Sequence, residues 1–215
     1  GFGLLNEQDR VLVSRLGGIL RLADGLERPV ATPAGASLGF PMWSPDARRV
    51  AFTVTRSDGI ELWVASPETG ETHAVTRAGL NAALGTPCTW MPDSAELLCR
   101  FVAEDRGAPP AASPVPTGPH TQSSQGRPAP VRTYEDLLQN PDDERLFDYY
   151  ASSRVARVNM ETRAVTPIGE PGIYDAADPS PSGQLVLVQR VTKPYSYVVP
   201  SNLFPHVIEV WDRDG

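Results

Sequence analysis

FPMWSPDARRVAFTVTRSDGIELWVASPETGETHAVT, residues 40–76, is the stretch that decides the fold. It holds four short segments rich in apolar residues, and a turn-forming sequence separates each segment from the next. The three turns are Ser44-Pro45-Asp46-Ala47, Ser57-Asp58-Gly59 and Pro67-Glu68-Thr69-Gly70, which place proline, aspartate and glycine where tight turns favour them. The stretch therefore predicts a meander of four antiparallel strands at 40–43, 50–54, 60–65 and 71–76.

The same pattern recurs along the chain. Trp90-Met91-Pro92-Asp93 repeats Trp43-Ser44-Pro45-Asp46, at a spacing within the ~40–50 residues of a propeller blade. A third copy of the turn is Ser180-Pro181-Ser182-Gly183, followed by the apolar strand LVLVQ. Because one blade cannot bury both of its faces alone, neighbouring blades must stack on it. We predict an all-β chain, a partial β-propeller of about three four-stranded blades with a Pro-rich, partly helical insertion.

Two long connections interrupt the repeats. Residues 103–133 are rich in proline and poor in large apolar side chains, which predicts an irregular excursion. A helix should begin after Asn140, because an N-cap residue, Pro141 and acidic residues follow one another there. Leu146, Phe147 and Tyr150 would share one helix face, packed against the blade. The second connection, 190–205, is rich in tyrosine and proline.

These features predict one incomplete propeller domain over residues 1–215. It would contain blade remnants at 11–32 and 168–215, complete blades at 40–76 and 86–167, and an insertion at 103–152. Residues 1–17 are left without an assigned role. Because a ring with open ends leaves unpaired strand edges, we expect the chain to be a segment of a longer protein.

Composition limits the function classes. The formal net charge of −7 argues against nucleic acid and anionic membranes as partners. No run of 18 apolar residues is present, so no membrane span is predicted. The compartment stays open between bacterial periplasm, cytoplasm and an organelle. His73, His120 and His206 are scattered, and neither a metal site nor a cofactor is predicted.

Cys88 and Cys99 flank the turn at 92–94 symmetrically, so a simple hairpin would place them opposite each other. A cross-strand disulfide is conceivable in an oxidising compartment. Two buried thiols are the preferred interpretation.

The repeated Trp-Ser-Pro-Asp turn resembles the repeat of TolB-type proteins and of prolyl-oligopeptidase-family peptidases. Four further segments resemble the amino-terminal propeller of the glutamyl endopeptidase branch of that family: RPAPVRTYEDLL at 127–138, DERLFDYY at 143–150, KPYSY at 193–197 and EVWD at 209–212. The resemblance covers residues 18–215. The chain departs from the repeat at Ala47, where glycine is usual.

The resemblance implies a two-part serine peptidase. Its propeller would cover the mouth of an α/β-hydrolase domain that holds a Ser-Asp-His triad, and the enzyme would cut after glutamate. The hydrolase domain is absent from this sequence, so no catalytic residue is assigned. The expected partners are that carboxy-terminal domain and a peptide substrate.

Gly35-Ala36-Ser37-Leu38-Gly39 fits the G-x-S-x-G pattern of a nucleophile elbow literally. An elbow needs a buried strand before the serine and a helix after it. Pro41 and Pro45 forbid that helix, so we interpret the stretch as a connection between blades.

Both long connections lie between a second and a third strand of adjacent blades, and they should lie side by side at one end of the propeller. Long loops on a rigid scaffold often bind ligands, although packing on a neighbouring domain explains them equally well. An acid-selective peptidase needs a fixed cation, and arginine suits a carboxylate. The candidate substrate-binding residues are Arg132, Tyr134, Arg190, Tyr195 and Tyr197.

The alternative for these residues is structural: Arg190 would pair with a structural aspartate, and the tyrosines would fill gaps. Trp43, Trp63, Trp90 and Trp211 recur at repeat positions and are interpreted as core. Two function classes remain, a gating propeller segment of a serine peptidase and a non-catalytic TolB-like propeller that binds proteins. A strand-G-x-S-x-G-helix unit encoded after Gly215 would distinguish the first from the second.

Overall fold

The computed structural model describes residues 4–5, 11–14, 18–21, 26–111 and 137–215. The first four strands form one antiparallel sheet in sequential order: β1 (Leu4–Leu5), β2 (Val11–Ser14), β3 (Gly18–Arg21) and β4 (Leu26–Pro29). The blade remnant was predicted at 11–32, and Leu4–Leu5 also pairs with β2, so that this sheet has four described strands. Two residues are too few to show an apolar period in the sequence.

The next sheet, which we call the first blade, has the four strands predicted from residues 40–76. They are β5 (Ser37–Trp43), β6 (Val50–Arg56), β7 (Gly59–Ala65) and β8 (Thr72–Ala74), again in sequential antiparallel order. Residues 50–54 of β6 are all buried, as the apolar run VAFTV predicts. The turn between β6 and β7 holds only two residues, in contrast to the long connections of the later blades.

The repeated turn has one backbone conformation in all three blades. Its last residue is Ala47, Ser94 or Gly183, with φ of 58°, 57° and 69°. In each case this residue donates its N–H to the carbonyl three positions earlier. A positive φ favours glycine, which explains why glycine is usual at this position of the repeat. Ala47 adopts the same conformation without being glycine. Ser44 holds the first turn further, since its Oγ donates to Asp46 Oδ1 at 2.6 Å.

A six-stranded antiparallel sheet carries the second and third blades. The second blade comprises β9 (Cys88–Trp90), β10 (Glu96–Val102), β11 (Ser152–Asn159) and the first part of β12 (Val165–Pro179). The third comprises the last part of β12, β13 (Leu185–Val191) and β14 (His206–Asp212). Residues 165–173 of β12 pair with β11, whereas residues 174–179 pair with β13. One strand therefore belongs to both blades.

The hydrophobic core lies between blades. Leu62 of the first blade joins Leu97 and Val158 of the second in one cluster, and all three are fully buried. A second cluster joins Leu98 and Val155 of the second blade to residues of β13. The four tryptophans pack within or against these clusters and that of Phe52, which confirms their interpretation as core: Trp43, Trp63, Trp90 and Trp211.

Cys88 and Cys99 lie opposite each other on β9 and β10, as the hairpin argument predicts. Their sulfurs are bonded as a disulfide, so the preference for two free thiols is corrected. Sequence spacing could establish that the two residues face each other. It could not establish the oxidation state, which depends on the surroundings of the protein.

Candidate functional site

The two long connections meet at one end of the second and third blades. The first contributes helix α1 (Pro141–Ala151), and the second is the segment 192–205 between β13 and β14. Phe147 of α1 packs edge-on against Tyr195 and Phe204, with ring centroids 5.0 and 5.6 Å apart. Tyr195 and Phe204 stack on each other at 5.2 Å. The prediction that these connections lie side by side is confirmed, and we call α1 and 192–205 the loop face.

Polar contacts join the same two segments. Asp148 of α1 accepts hydrogen bonds from the Tyr195 hydroxyl and from the Lys193 ammonium, the latter at 2.7 Å. One helical turn earlier, Glu144 accepts from the Tyr197 hydroxyl at 2.7 Å. Residues four apart share a helix face, so both carboxylates point to the tyrosine segment. The loop face is thus a built surface held by aromatic packing and by charged hydrogen bonds.

The electrostatics of the loop face follow from these contacts. Burial, together with the hydrogen bond to Asp148, raises the pKa of Tyr195 far above its ordinary value. The hydrogen bond to Asp148 also raises the pKa of Lys193. The hydrogen bond to Glu144 raises the pKa of Tyr197. Both tyrosines are therefore neutral donors at physiological pH and keep the two carboxylates engaged.

Local sequence explains where α1 begins. The Asn140 side chain accepts from the backbone N–H groups of Asp142 and Asp143 at 2.8 and 3.0 Å, and proline occupies the first helical turn. The helix start predicted after Asn140 is confirmed. The predicted packed face is only partly correct: Phe147 packs inward, whereas Leu146 and Tyr150 are exposed. The capping-box pattern of Thr133 and Asp136, which predicts a short helix before α1, lies outside the described residues.

Arg190 lies apart from the tyrosine contacts. Its guanidinium donates to Glu209 on the neighbouring strand β14 at 2.8 Å. Glu209 also accepts from the Trp211 indole at 3.0 Å. The bond from Arg190 and then the bond from Trp211 lower the pKa of Glu209. Among the five candidate residues, Tyr195 and Tyr197 meet on the loop face and Arg190 is paired within the sheet. Arg132 and Tyr134 lie outside the described residues.

Two buried polar residues hold this region together and were not predicted from the sequence. Asn81 donates from its amide to the carbonyls of Tyr150 and Ser152, both at 2.9 Å, and so fixes the end of α1. Arg100, which is 5% exposed, donates to the carbonyls of Tyr174 and Thr86 at 2.6 Å each. An arginine within the apolar run LLCRFV was the available signal, since buried arginine requires partners.

No family model matches the chain. Among curated proteins it matches two named "Probable glutamyl endopeptidase, chloroplastic": that of Oryza sativa subsp. japonica, 37% identical over 213 residues, and that of Arabidopsis thaliana, 35% identical over 207 residues. The alignments cover 92% and 90% of this chain. The chain is a homologue of these two proteins. It spans 22% and 21% of the length of these two relatives, about a fifth of each.

Solved structures share the fold of this chain at low identity. Pyrococcus horikoshii acylaminoacyl peptidase superposes with a TM-score of 0.53 at 18% identity, covering 97% of this chain and 28% of that chain. The β-propeller domain of the Trilobed protease from Pyrococcus furiosus gives 0.51 at 15% identity, covering 97% and 49%. The likeness shows the fold alone and confirms the all-β propeller class.

The literal G-x-S-x-G match of this homologue has no elbow geometry. Ser37 is the first residue of β5 and pairs with Thr55 of β6. A tight turn precedes it, closed by the Ala36 N–H on the Pro33 carbonyl at 3.2 Å. A strand follows where an elbow requires a helix, so Ser37 is a structural residue of the blade.

Within the described ranges, no group of three or more His, Cys, Asp or Glu side chains is arranged to hold a metal ion. The one described α-helix, α1, is 11 residues long, and no helix in these ranges could cross a bilayer.

Proposed function

We propose that this chain is a non-catalytic propeller segment of a serine peptidase that gates substrate access to an α/β-hydrolase active site. We further propose that the parent enzyme cleaves after glutamate. The names of the curated relatives support the choice of enzyme class. The coverage of about a fifth of each relative supports a segment that works as part of a larger chain.

The observation that carries the gating proposal is the loop face. Two long connections from adjacent blades leave the sheets at one end and are joined by packing and by charged hydrogen bonds. Apolar and aromatic side chains remain uncovered on this surface, with Tyr197, Val198 and Leu203 exposed by 40%, 67% and 55%. Exposed apolar side chains grouped in one place favour contact with another domain. The partner that we propose for this surface is the carboxy-terminal α/β-hydrolase domain of the parent chain.

Cysteine labelling tests the gating proposal on the full-length protein. Val198→Cys should react with a maleimide more than about tenfold more slowly than Thr69→Cys, a protection that needs a closure free energy of only about 1.4 kcal/mol. Both parent side chains are exposed in this segment, and Thr69 lies in the turn between β7 and β8. Cys88 and Cys99 are disulfide-bonded and buried, so they should not react with the maleimide. Equal labelling rates at the two positions would refute coverage of the loop face.

Recognition of glutamate is the finer part of the proposal, with Arg132 and Arg190 as candidate cations. Arg190 can bind a substrate carboxylate only if that carboxylate replaces Glu209, since the two side chains are paired at 2.8 Å. The pair is partly exposed, with 39% and 29% of the side-chain surfaces accessible, so its strength is reduced by solvent. Such a weak internal partner is compatible with exchange.

Paired variants separate the substrate role of Arg190 from a structural one. In the full-length peptidase, Arg190→Ala should lower kcat/KM for a Glu peptide by roughly ten- to a hundredfold, the effect of losing a charge-assisted hydrogen bond. The matched Gln peptide should be cut at the parent rate. Glu209→Gln removes the carboxylate that pairs with Arg190, and kcat/KM for the Glu peptide should stay unchanged or rise. If both variants lower both rates equally, the pair is structural and acid selection lies elsewhere.

A further inference from the structure

A groove of about 1210 Å³ runs between the outer strands of the first and second blades. Residues 74–79, which follow from β8, form one wall. Residues 101–107, together with side chains from β11 and from the start of β12, form the other. No residue of the loop face lines this groove, although Tyr149 of α1 contacts Arg106 and Gly107 at its rim.

Four arginines line the groove: Arg77, Arg106, Arg154 and Arg163. Within the described part of the chain, none of them forms an ion pair with a carboxylate, although Glu104 and Asp105 also line the groove. Of the described arginines outside the groove, most contact acidic side chains, as Arg157, Arg190 and Arg213 do, whereas Arg48, Arg49 and Arg100 do not. Unneutralised cations are therefore concentrated here in a chain whose net charge is negative.

Further observations support a positive and partly organised surface. The Nε of Arg154 is buried without a hydrogen-bond partner in the described residues. The guanidinium of Arg106 stacks on the Tyr149 ring at 4.3 Å from its centroid, which limits its rotation. Beside the groove wall, burial and then the nearby cations of Arg163 and Arg49 lower the pKa of His73.

We propose that this groove binds an extended acidic peptide segment through its carboxylates. The arginine fork matches a carboxylate in two hydrogen bonds, so several arginines on facing walls favour several carboxylates along one chain. Open strand edges border the groove: β8 ends its sheet, and residues 165–173 of β12 pair only with β11 among the described strands. Such edges can pair with an extended peptide. The net charge of −7 disfavours the denser charge of a nucleic acid.

Binding of a defined probe to the full-length protein tests this proposal, which goes beyond the gating function and does not need catalysis. The probe is a fluorescent peptide of six glutamates with blocked ends, and six glutamines replace them in the control peptide. We expect only the glutamate peptide to bind, with an affinity that falls as salt is added. Because the proposed parent enzyme would cut this peptide, its nucleophilic serine is first blocked with a fluorophosphonate, and mass spectrometry verifies that the probe remains intact.

The double variant Arg77→Gln/Arg163→Gln should weaken hexaglutamate binding by at least about tenfold. Both side chains are exposed, so folding should be unaffected, and the thermal unfolding midpoint verifies this. Arg48→Gln removes an exposed arginine outside the groove lining and should bind as the parent does. The Arg77→Lys/Arg163→Lys variant keeps both positive charges and should bind hexaglutamate more tightly than the Arg77→Gln/Arg163→Gln variant.

Three results would overturn the proposal. Equal binding of hexaglutamate and hexaglutamine would show that charge is not recognised. Unchanged affinity in the Arg77→Gln/Arg163→Gln variant would place the site elsewhere. Tighter binding of an oligothymidylate than of hexaglutamate, lost in the same variant, would assign the groove to nucleic acid instead.

Discussion

Replacing Arg100 by methionine should destabilise the protein by about 3–5 kcal/mol, because it leaves buried carbonyls without donors. Arg100 donates from one guanidinium nitrogen to Tyr174 and from the other to Thr86, with a longer bond to Leu84 at 3.4 Å. Thr86 leads into β9, and Tyr174 begins the part of β12 that pairs with β13. One cation thus holds the entry to the second blade against the entry to the third.

Burial lowers the pKa of Arg100, and the nearby carboxylates of Asp175 and Asp178 oppose this effect. A guanidinium remains protonated under such conditions, so the variant removes a charge as well as donors. Arg100→Lys should recover only part of the stability, since one ammonium cannot reproduce the planar fork that reaches both segments.

Denaturant unfolding followed by tryptophan fluorescence measures the effect, with Trp90 in the same blade as a reporter. Arg48→Met is the matched control, because Arg48 is exposed and should change the free energy of unfolding little. An Arg100→Met variant within about 1 kcal/mol of the parent would contradict the role given to Arg100, since a single neutral hydrogen bond is worth that much.

Replacing Gly169 by alanine should cost about 2–4 kcal/mol, through backbone strain plus overpacking. Gly169 lies in β12 with φ of +64°, a conformation that alanine rarely adopts. An added Cβ would lie 2.6 Å from two carbons of the Trp211 indole. Trp211 packs edge-on against Tyr174 at 5.6 Å and donates to Glu209, so it has little freedom to move away.

Gly35→Ala isolates the contribution of the clash. Gly35 has φ of +75° and no heavy atom within 4 Å of the added Cβ, so only conformational strain of roughly 1 kcal/mol is expected there. The excess at Gly169 should shrink when Trp211→Leu makes room, as a double-mutant cycle would show. An equal loss of unfolding free energy in the two alanine variants would mean that the Trp211 indole moves aside at little cost.

The sequence was most informative where one residue type has one geometric use. The three proline-containing turns set the blade boundaries, and the positive φ at Ala47, Ser94 and Gly183 shows why these turns recur as a unit. Asn140 followed by Pro141 located the start of α1 for the same reason. Local hydrogen bonds and fixed backbone angles govern both features, and local sequence records them.

Contacts between distant segments were not predictable in the same way. Nothing near Asp148 in sequence indicates Lys193 and Tyr195, which reach it across the loop face. In the sequence, Arg100 is one polar residue in an apolar strand. The sequence does not indicate that it donates to the carbonyls of Thr86 and Tyr174. The length of β12 was also missed, because its alternation of side chains does not show that its pairing partner changes between Ile173 and Tyr174.

The strand shared by two blades determines where this segment can bend. The other neighbouring sheets are joined by loops, residues 30–36 between β4 and β5 and residues 75–87 between β8 and β9. Between the second and third blades, β12 continues from one blade into the other without a loop, although residues 169–171 have no partner on β11. These blades should therefore turn as one rigid body that carries the whole loop face. Any motion that widens the path for a substrate must then take place at the other joints.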